Sequence, residues 1–328
     1  DTLWKYQLLY NQPPPGVDIK LTINTALQTS ADALLGDAKG AVVLLNATTG
    51  EIYALASHPF FDANTLTENW EALREDPDAP LVNRTTQATY PLGTLVNSLG
   101  LATYYNHPQA AKGAVPGNTA GQDQYCEAAS KAYGEELSAY QSGCEQAALA
   151  LIQNLDPLVF LEQLDEFGLF TAPSFSLRTI APVELPDPAV IETKPMSALE
   201  IQATPLQMAL VAASITNDGL LPSPRLRNTY LAEDGTWTPF REGVLPVRVV
   251  ESGAMARLRA SLIGKDPAFW FQSGHSVTRD GKILTWYIGG TTEEWVATPL
   301  AIAVAIESNA PDLAQKIGSS LLSLYATD

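Results

Sequence analysis

Apolar and polar positions alternate along Asp18–Asn24 with the period of two that a short strand requires, and Thr25–Leu35 then changes to a helical period, with Ala26, Leu27, Ala31, Leu34 and Leu35 on one side. Two apolar runs follow, Ala41–Leu45 and Ile52–Ala56. They are joined by Asn46-Ala47-Thr48-Thr49-Gly50-Glu51, whose turn residues predict a hairpin. A partly polar stretch from Ser57 to about Arg84 reads as loop. Leu95–Tyr105 and Pro205–Ile215 have helical patterns, the second ended by Asn217-Asp218-Gly219. Most of Glu127–Leu169 is also expected to be helical, with breaks at Gly134, Gly143 and Pro157. Strand character returns at Phe269–Ser273, Ile283–Ile288 and Leu300–Ile306, and Asp312–Tyr325 reads as a closing amphipathic helix. Strands near both ends and helices between them predict an α+β fold whose sheet joins distant segments. No internal repeat is visible.

Composition adds limits. The 328 residues suit one large domain or two fused subdomains; 46% hydrophobic and 17% charged residues are globular values. The formal charge of -17 sets the chain against phosphate backbones, which argues against nucleic acid as a partner. No apolar run approaches the about 18 residues that cross a bilayer, the longest being Pro299–Ile306. No signal peptide is visible at Asp1, and an anchor could precede it. The Pro13-Pro14-Pro15-Gly16 run reads as an extended linker covering residues 1–17. Cys126 and Cys144 are the only cysteines and lie in no CxxC pattern, and His58, His107 and His275 are far apart, so no metal or other cofactor is expected. The cysteines leave two alternatives open, a disulfide outside the cytoplasm or two buried thiols.

Several phrases together resemble the transpeptidase domain of penicillin-binding proteins, most of all the monofunctional class B branch. They are Asp18-Ile19-Lys20-Leu21-Thr22-Ile23-Asn24; Gly40–Leu45 followed by Thr49-Gly50-Glu51-Ile52-Tyr53-Ala54-Leu55-Ala56-Ser57; Asn83-Arg84; and Ala203-Thr204-Pro205-Leu206-Gln207 before Asn217-Asp218-Gly219. Their order carries the resemblance over most of 18–328. It implies a penicillin-binding/β-lactamase-like fold. A central, mainly antiparallel sheet from about 18–60 and 268–328 would be flanked by helices, with a mostly helical subdomain inserted at about 90–220.

The family's chemistry needs a Ser-x-x-Lys turn, where the lysine one helical turn on accepts the nucleophile's proton. It also needs Ser-x-Asn, and a Lys-Thr/Ser-Gly strand whose cation meets the substrate carboxylate. Backbone N–H groups at the nucleophile and just after that glycine form the oxyanion hole. Here Tyr90-Pro91-Leu92-Gly93-Thr94-Leu95-Val96-Asn97 puts Thr94 on the serine and Asn97 on the lysine. Ser142-Gly143-Cys144 stands for Ser-x-Asn, and Gln272-Ser273-Gly274-His275 for the strand motif. A neutral amide cannot take the proton, and both motif lysines are gone.

The resemblance therefore implies a catalytically inactive domain acting as scaffold or regulator in cell-wall synthesis. It would lie outside the cytoplasm, membrane-anchored in a longer bacterial protein. Its partner would be a membrane cell-wall glycosyltransferase or another cell-wall synthesis protein, and its cleft would contact a peptidoglycan stem peptide without reacting. Two other readings stand beside it: an active transpeptidase or acyl hydrolase with atypical residues, for instance a Thr94–His275 pair, and an interaction domain unrelated to peptidoglycan. No Gly-x-Ser-x-Gly elbow and no phosphate-binding glycine loop supports a different chemistry.

Overall fold

The computed structural model describes residues 9, 16–113, 138–181, 184–193, 201–240, 245–278 and 280–324. The linker assigned to 1–17, apart from residues 9, 16 and 17, lies outside them, as do Cys126, Gly134 and Tyr325.

Five antiparallel strands form the central sheet in the order β6-β7-β8-β2-β3: β2 is Gly40–Asn46, β3 Ile52–His58, β6 Phe269–Val277, β7 Ile283–Thr291 and β8 Leu300–Ile306. The hairpin β2–β3 thus joins the C-terminal meander through the β8–β2 pairing, Val304 facing Val42. Both faces of β2 and β8 are covered, so these strands read as continuous apolar runs. Val42, Leu44, Ile302 and Val304 point to one face. There they meet Leu27, Ala31 and Leu35 of α1 (Thr25–Leu35) and Ile317 and Leu321 of α8 (Pro311–Leu324). Val43, Leu45, Ala303 and Trp286 point to the other, toward α3 (Val96–Asn106) and α6 (Pro205–Thr216). Each fully buried Val or Leu contributes about 1.5–3 kcal/mol, so this two-sided arrangement fixes the register firmly.

Helix α1 begins where Asn24 Oδ1 accepts the Ala26 and Leu27 N–H groups. Helix α6 begins with a capping box, Thr204 with Gln207, and a proline in its first turn. Residues Val96–Thr103 of α3 and Pro205–Ile215 of α6 are all buried, so these helices are enclosed on every side. Around α3 lie α4 (Glu145–Asn154), α5 (Pro157–Glu166) and α7 (Ser252–Leu262).

Three elements depart from the sequence expectation. The Asp18–Asn24 strand shortens to β1 (Ile19–Leu21) and leaves the central sheet. It pairs with β4 (Arg227–Leu231), which pairs with β5 (Trp237–Pro239), in a separate three-stranded sheet. Every β1 residue is exposed, so its alternation lacks the buried face that would hold it on the main sheet. The loop expected at Ser57–Arg84 contains α2 (Leu66–Glu75), none of whose residues is buried. Helix α6, inside the segment expected to form a helical subdomain, instead packs directly on β7, β8 and β2, because its length is apolar all round.

Candidate active site

The turn before α3 is built by Pro91, Gly93 and three apolar anchors. Tyr90–Pro91 pairs with Gln202–Ala203, the Pro91 carbonyl accepts the Trp286 indole N–H at 3.0 Å, and Leu92, Leu95 and Val96 are fully buried. Gly93 has φ +53, and a Cβ there would lie 2.1 Å from the His275 carbonyl oxygen. Only glycine allows both that conformation and that approach. The constraint presses the Thr94 turn against β6, the edge strand of the sheet.

Thr94 is 4% exposed. Its Oγ1 accepts the His275 backbone N–H at 2.9 Å and lies 3.3 Å from the His275 carbonyl and 3.5 Å from His275 Nδ1. The N–H that follows the strand glycine is thus engaged by the hydroxyl of the turn. Gly274 lies close to Leu95, where an added Cβ would sit 3.2 Å from its backbone nitrogen. Gly143, with φ +68, approaches the same corner: a Cβ on it would lie 2.7 Å from Thr94 Oγ1 and 2.6 Å from the Ser273 carbonyl. The Gln141 carbonyl accepts the Ser273 N–H at 2.8 Å, which ties the 138–144 turn to the β6 edge.

Thr94, Ser273, Gly274 and His275 therefore meet at one corner, with Gly143 covering it. Ser142 and Cys144 flank that glycine but make other contacts. Ser142 Oγ donates to the Ser138 carbonyl at 2.9 Å and lies 3.1 Å from Cys144 Sγ. Cys144 is disulfide-bonded, and Cys126, the only other cysteine, lies outside the described residues. Of the two alternatives for the thiols, the disulfide is the one found.

The two positions that the resemblance sets against the family's lysines hold buried amides. Gln272 donates from Nε2 to the Thr94 carbonyl at 3.1 Å, but its Oε1 has no hydrogen-bond partner among the described residues. Asn97, on α3, is 0% exposed, and neither its Nδ2 nor its Oδ1 has a partner there. An unpartnered buried amide carries a desolvation cost of about 1–3 kcal/mol. Neither amide can accept a proton from Thr94 Oγ1 or carry a charge toward a carboxylate. Among the described residues no group of three or more His, Cys, Asp or Glu side chains could hold a metal ion.

Sequence reasoning located the corner but missed Gly93 and Gln141 as its builders. Gly93 left a signal, a lone glycine between a proline turn and a helix. Gln141 left none, since its backbone carbonyl carries the contact with Ser273 and any residue supplies a carbonyl.

This arrangement of turn, loop and edge strand is that of the penicillin-binding transpeptidase fold. No family model matches the chain. The peptidoglycan D,D-transpeptidase PbpA of Mycolicibacterium smegmatis is 31% identical over 264 residues, covering 70% of this chain and 53% of that protein. The chain thus spans about half the length of that relative. The D,D-transpeptidase domain of a peptidoglycan glycosyltransferase from Eggerthella lenta superposes with a TM-score of 0.77 at 21% identity, over 98% of this chain and 87% of its own. PBPA from Mycobacterium tuberculosis superposes with a TM-score of 0.73 at 24% identity, over 99% of this chain and 84% of its own. That protein has also been solved as a penicillin G acyl-enzyme complex. In sequence and in fold, this chain resembles the transpeptidase domains of penicillin-binding proteins.

Proposed function

We propose that this chain is a transpeptidase-like domain of peptidoglycan synthesis that no longer performs acyl transfer and serves as a scaffold or regulator. Asn97 carries the reading: at the position that the resemblance sets against the family's proton-accepting lysine stands a buried, neutral amide with no hydrogen-bond partner among the described residues. General-base assistance accounts for about 10²–10⁴-fold in rate, and neither Asn97 nor Gln272 supplies it. The hydroxyl that remains belongs to Thr94, accepts the His275 N–H and lies under Gly143. The penicillin G acyl-enzyme of the M. tuberculosis relative shows what the same fold does when its chemistry operates.

In this reading the cleft contacts a stem peptide without a covalent step. The partner is a membrane cell-wall glycosyltransferase or another cell-wall synthesis protein, and the domain works outside the cytoplasm on an anchor elsewhere in a longer chain. Among the described residues no helix is long and apolar enough to cross a membrane.

Intact-protein mass spectrometry after incubation with a labelled penicillin tests the central claim. The expected result is an unchanged mass beside a labelled active control.

One observation favours a second reading. His275 Nδ1 lies 3.5 Å from Thr94 Oγ1, a separation that a small side-chain rotation converts into a base–nucleophile contact. An active Thr–His enzyme would give a single adduct mapped to Thr94 and lost in His275→Gln. That outcome would replace the inactive reading.

A further inference from the structure

A cavity of about 550 Å³ opens at the free edge of the central sheet, beside β3 and away from the β6 edge that carries the candidate active site. Its walls mix apolar side chains, Phe60, Phe61, Pro80 and Leu81 among them, with polar ones, and Asp32 of α1 supplies a carboxylate. Phe60 is 71% exposed, its ring 5.3 Å from that of His58. The Asp32 side chain is 43% exposed and accepts from Gln28 Nε2 while facing His58 Nε2 at 3.2 Å. Arg84, the buried cation nearest in sequence, is committed to Glu307 and to the Asp78 and Ala79 carbonyls. The volume lies within the range of sites that hold a small ligand or a partner's side chains.

Three features of the same excursion narrow the occupant. Residues 60–83 carry six carboxylates (Asp62, Glu68, Glu71, Glu75, Asp76 and Asp78) against one base, Arg74, which pairs with Glu71 and Glu75. With a whole-chain charge of -17, this disfavours an anionic membrane and a second copy of the chain. Helix α2 puts Leu66, Trp70 and Leu73 on one side at helical spacing. Trp70 is 46% exposed, and none of the three belongs to either hydrophobic core. Finally, β3 is an edge strand, yet its outward groups at Leu55 are taken: Gln28 Oε1 accepts the Leu55 N–H at 2.8 Å, and Gln28 Nε2 donates to the Leu55 carbonyl at 3.4 Å. An added β-strand has no ladder to join there, so the occupant binds through side chains.

We propose that this cavity and the acidic 60–83 surface dock a cationic amphipathic helix of a partner protein. A lysine or arginine would lay its apolar stem along Phe60 and Phe61 and bring its charge to Asp32. The inference is independent of whether Thr94 reacts, because the two sites lie on opposite edges of the sheet.

The probe is a fluorescein-labelled, 18-residue synthetic lysine/leucine amphipathic helix, titrated by anisotropy in physiological salt and mapped by hydrogen exchange. The expected result is saturable binding that weakens at least ten-fold in Phe60→Ser/Asp32→Asn, with slowed exchange confined to about 55–83. A Glu233→Gln control, on the exposed turn between β4 and β5, is expected to change affinity less than two-fold. Both altered positions are partly solvent-exposed, and thermal melts confirm that the variant folds. The proposal is overturned by equal weakening in the control, by protection elsewhere, by no saturable binding, or by sedimentation showing that the chain self-associates through this face.

Discussion

Two buried polar regions of this molecule behave in opposite ways. Around Arg84 the charged groups and the Tyr90 hydroxyl are engaged. Nε donates to Glu307 at 2.8 Å, the other guanidinium nitrogens donate to the Ala79 and Asp78 carbonyls, and the Tyr90 hydroxyl donates to the same Glu307 oxygen at 2.7 Å. At the Thr94 corner Asn97 is just as deeply buried, yet among the described residues both its amide atoms lack partners, as does Gln272 Oε1. The difference separates framework from chemistry. A buried charge that stitches the 76–84 loop to the end of β8 must be satisfied for the fold to stand. Asn97 and Gln272 can hold amide atoms with no partner among the described residues, because the surrounding helix and strand are fixed by their apolar contacts.

The contrast can be broken by installing the family's motif residues. A Thr94→Ser/Asn97→Lys/Gln272→Lys variant is expected to acylate with labelled penicillin at least about 100-fold faster than the natural chain, the low end of a positioned base's contribution. Adduct-free protein in a folded triple variant would show that the corner is closed by its geometry as well as by its side chains.

Next in size is the framework node. Glu307→Ala leaves the Arg84 guanidinium buried without its counter-charge and is expected to cost about 3 kcal/mol in urea unfolding. A loss below about 1 kcal/mol would mean that the two carbonyls suffice.

Asn97→Leu should move the other way. It removes a buried amide that has no partner among the described residues and keeps its branched four-atom skeleton, so stability is expected to hold or to rise by about 1 kcal/mol. A clear loss in the same assay would reveal a hidden partner for the amide.

The smallest effect is seen only at high pH. Burial, and then the charge and hydrogen bond of Glu307, push the Tyr90 hydroxyl above its usual range. Burial alone does the same for Tyr287, whose ring stacks on Phe271 and closes on Gly318. Both phenols keep their protons in the folded chain when the unfolded chain, with ordinary values near 10, has begun to lose them. Their stabilising effect is therefore complete below about pH 10 and falls above it, by about 1.4 kcal/mol per pH unit for each tyrosine. Tyr90→Phe should remove one tyrosine's share of that slope in denaturation series between pH 9 and 11.

Much of the fold was legible because its signals are local. Thr25–Leu35 was read to the residue from its helical period and Leu300–Ile306 from its apolar run, and the Pro205–Ile215 reading fell one residue short of the end of α6. The resemblance set Thr94, Ser273, Gly274 and His275 against motif positions of the family, and the structure brings these four residues together. What failed were judgements about partners. The Asp18–Asn24 alternation gave no sign that the strand would pair with Arg227–Leu231 rather than with the main sheet. Helix α2 escaped notice because its apolar positions are few and none becomes buried.

The sequence by itself determined the strands and helices of the core, the likeness to penicillin-binding transpeptidase domains, and the neutral side chains at Asn97 and Gln272. These depend on residue type and spacing along the chain. Tertiary structure alone decided that Asn97 is sealed without a partner among the described residues, that Thr94 is held by the His275 backbone under Gly143, and that the edge of β3 at Leu55 is capped by Gln28 beside the cavity that holds Asp32. Each of these is a meeting of backbone or side-chain groups far apart in the chain, and only close packing of the finished fold brings such groups within bonding distance.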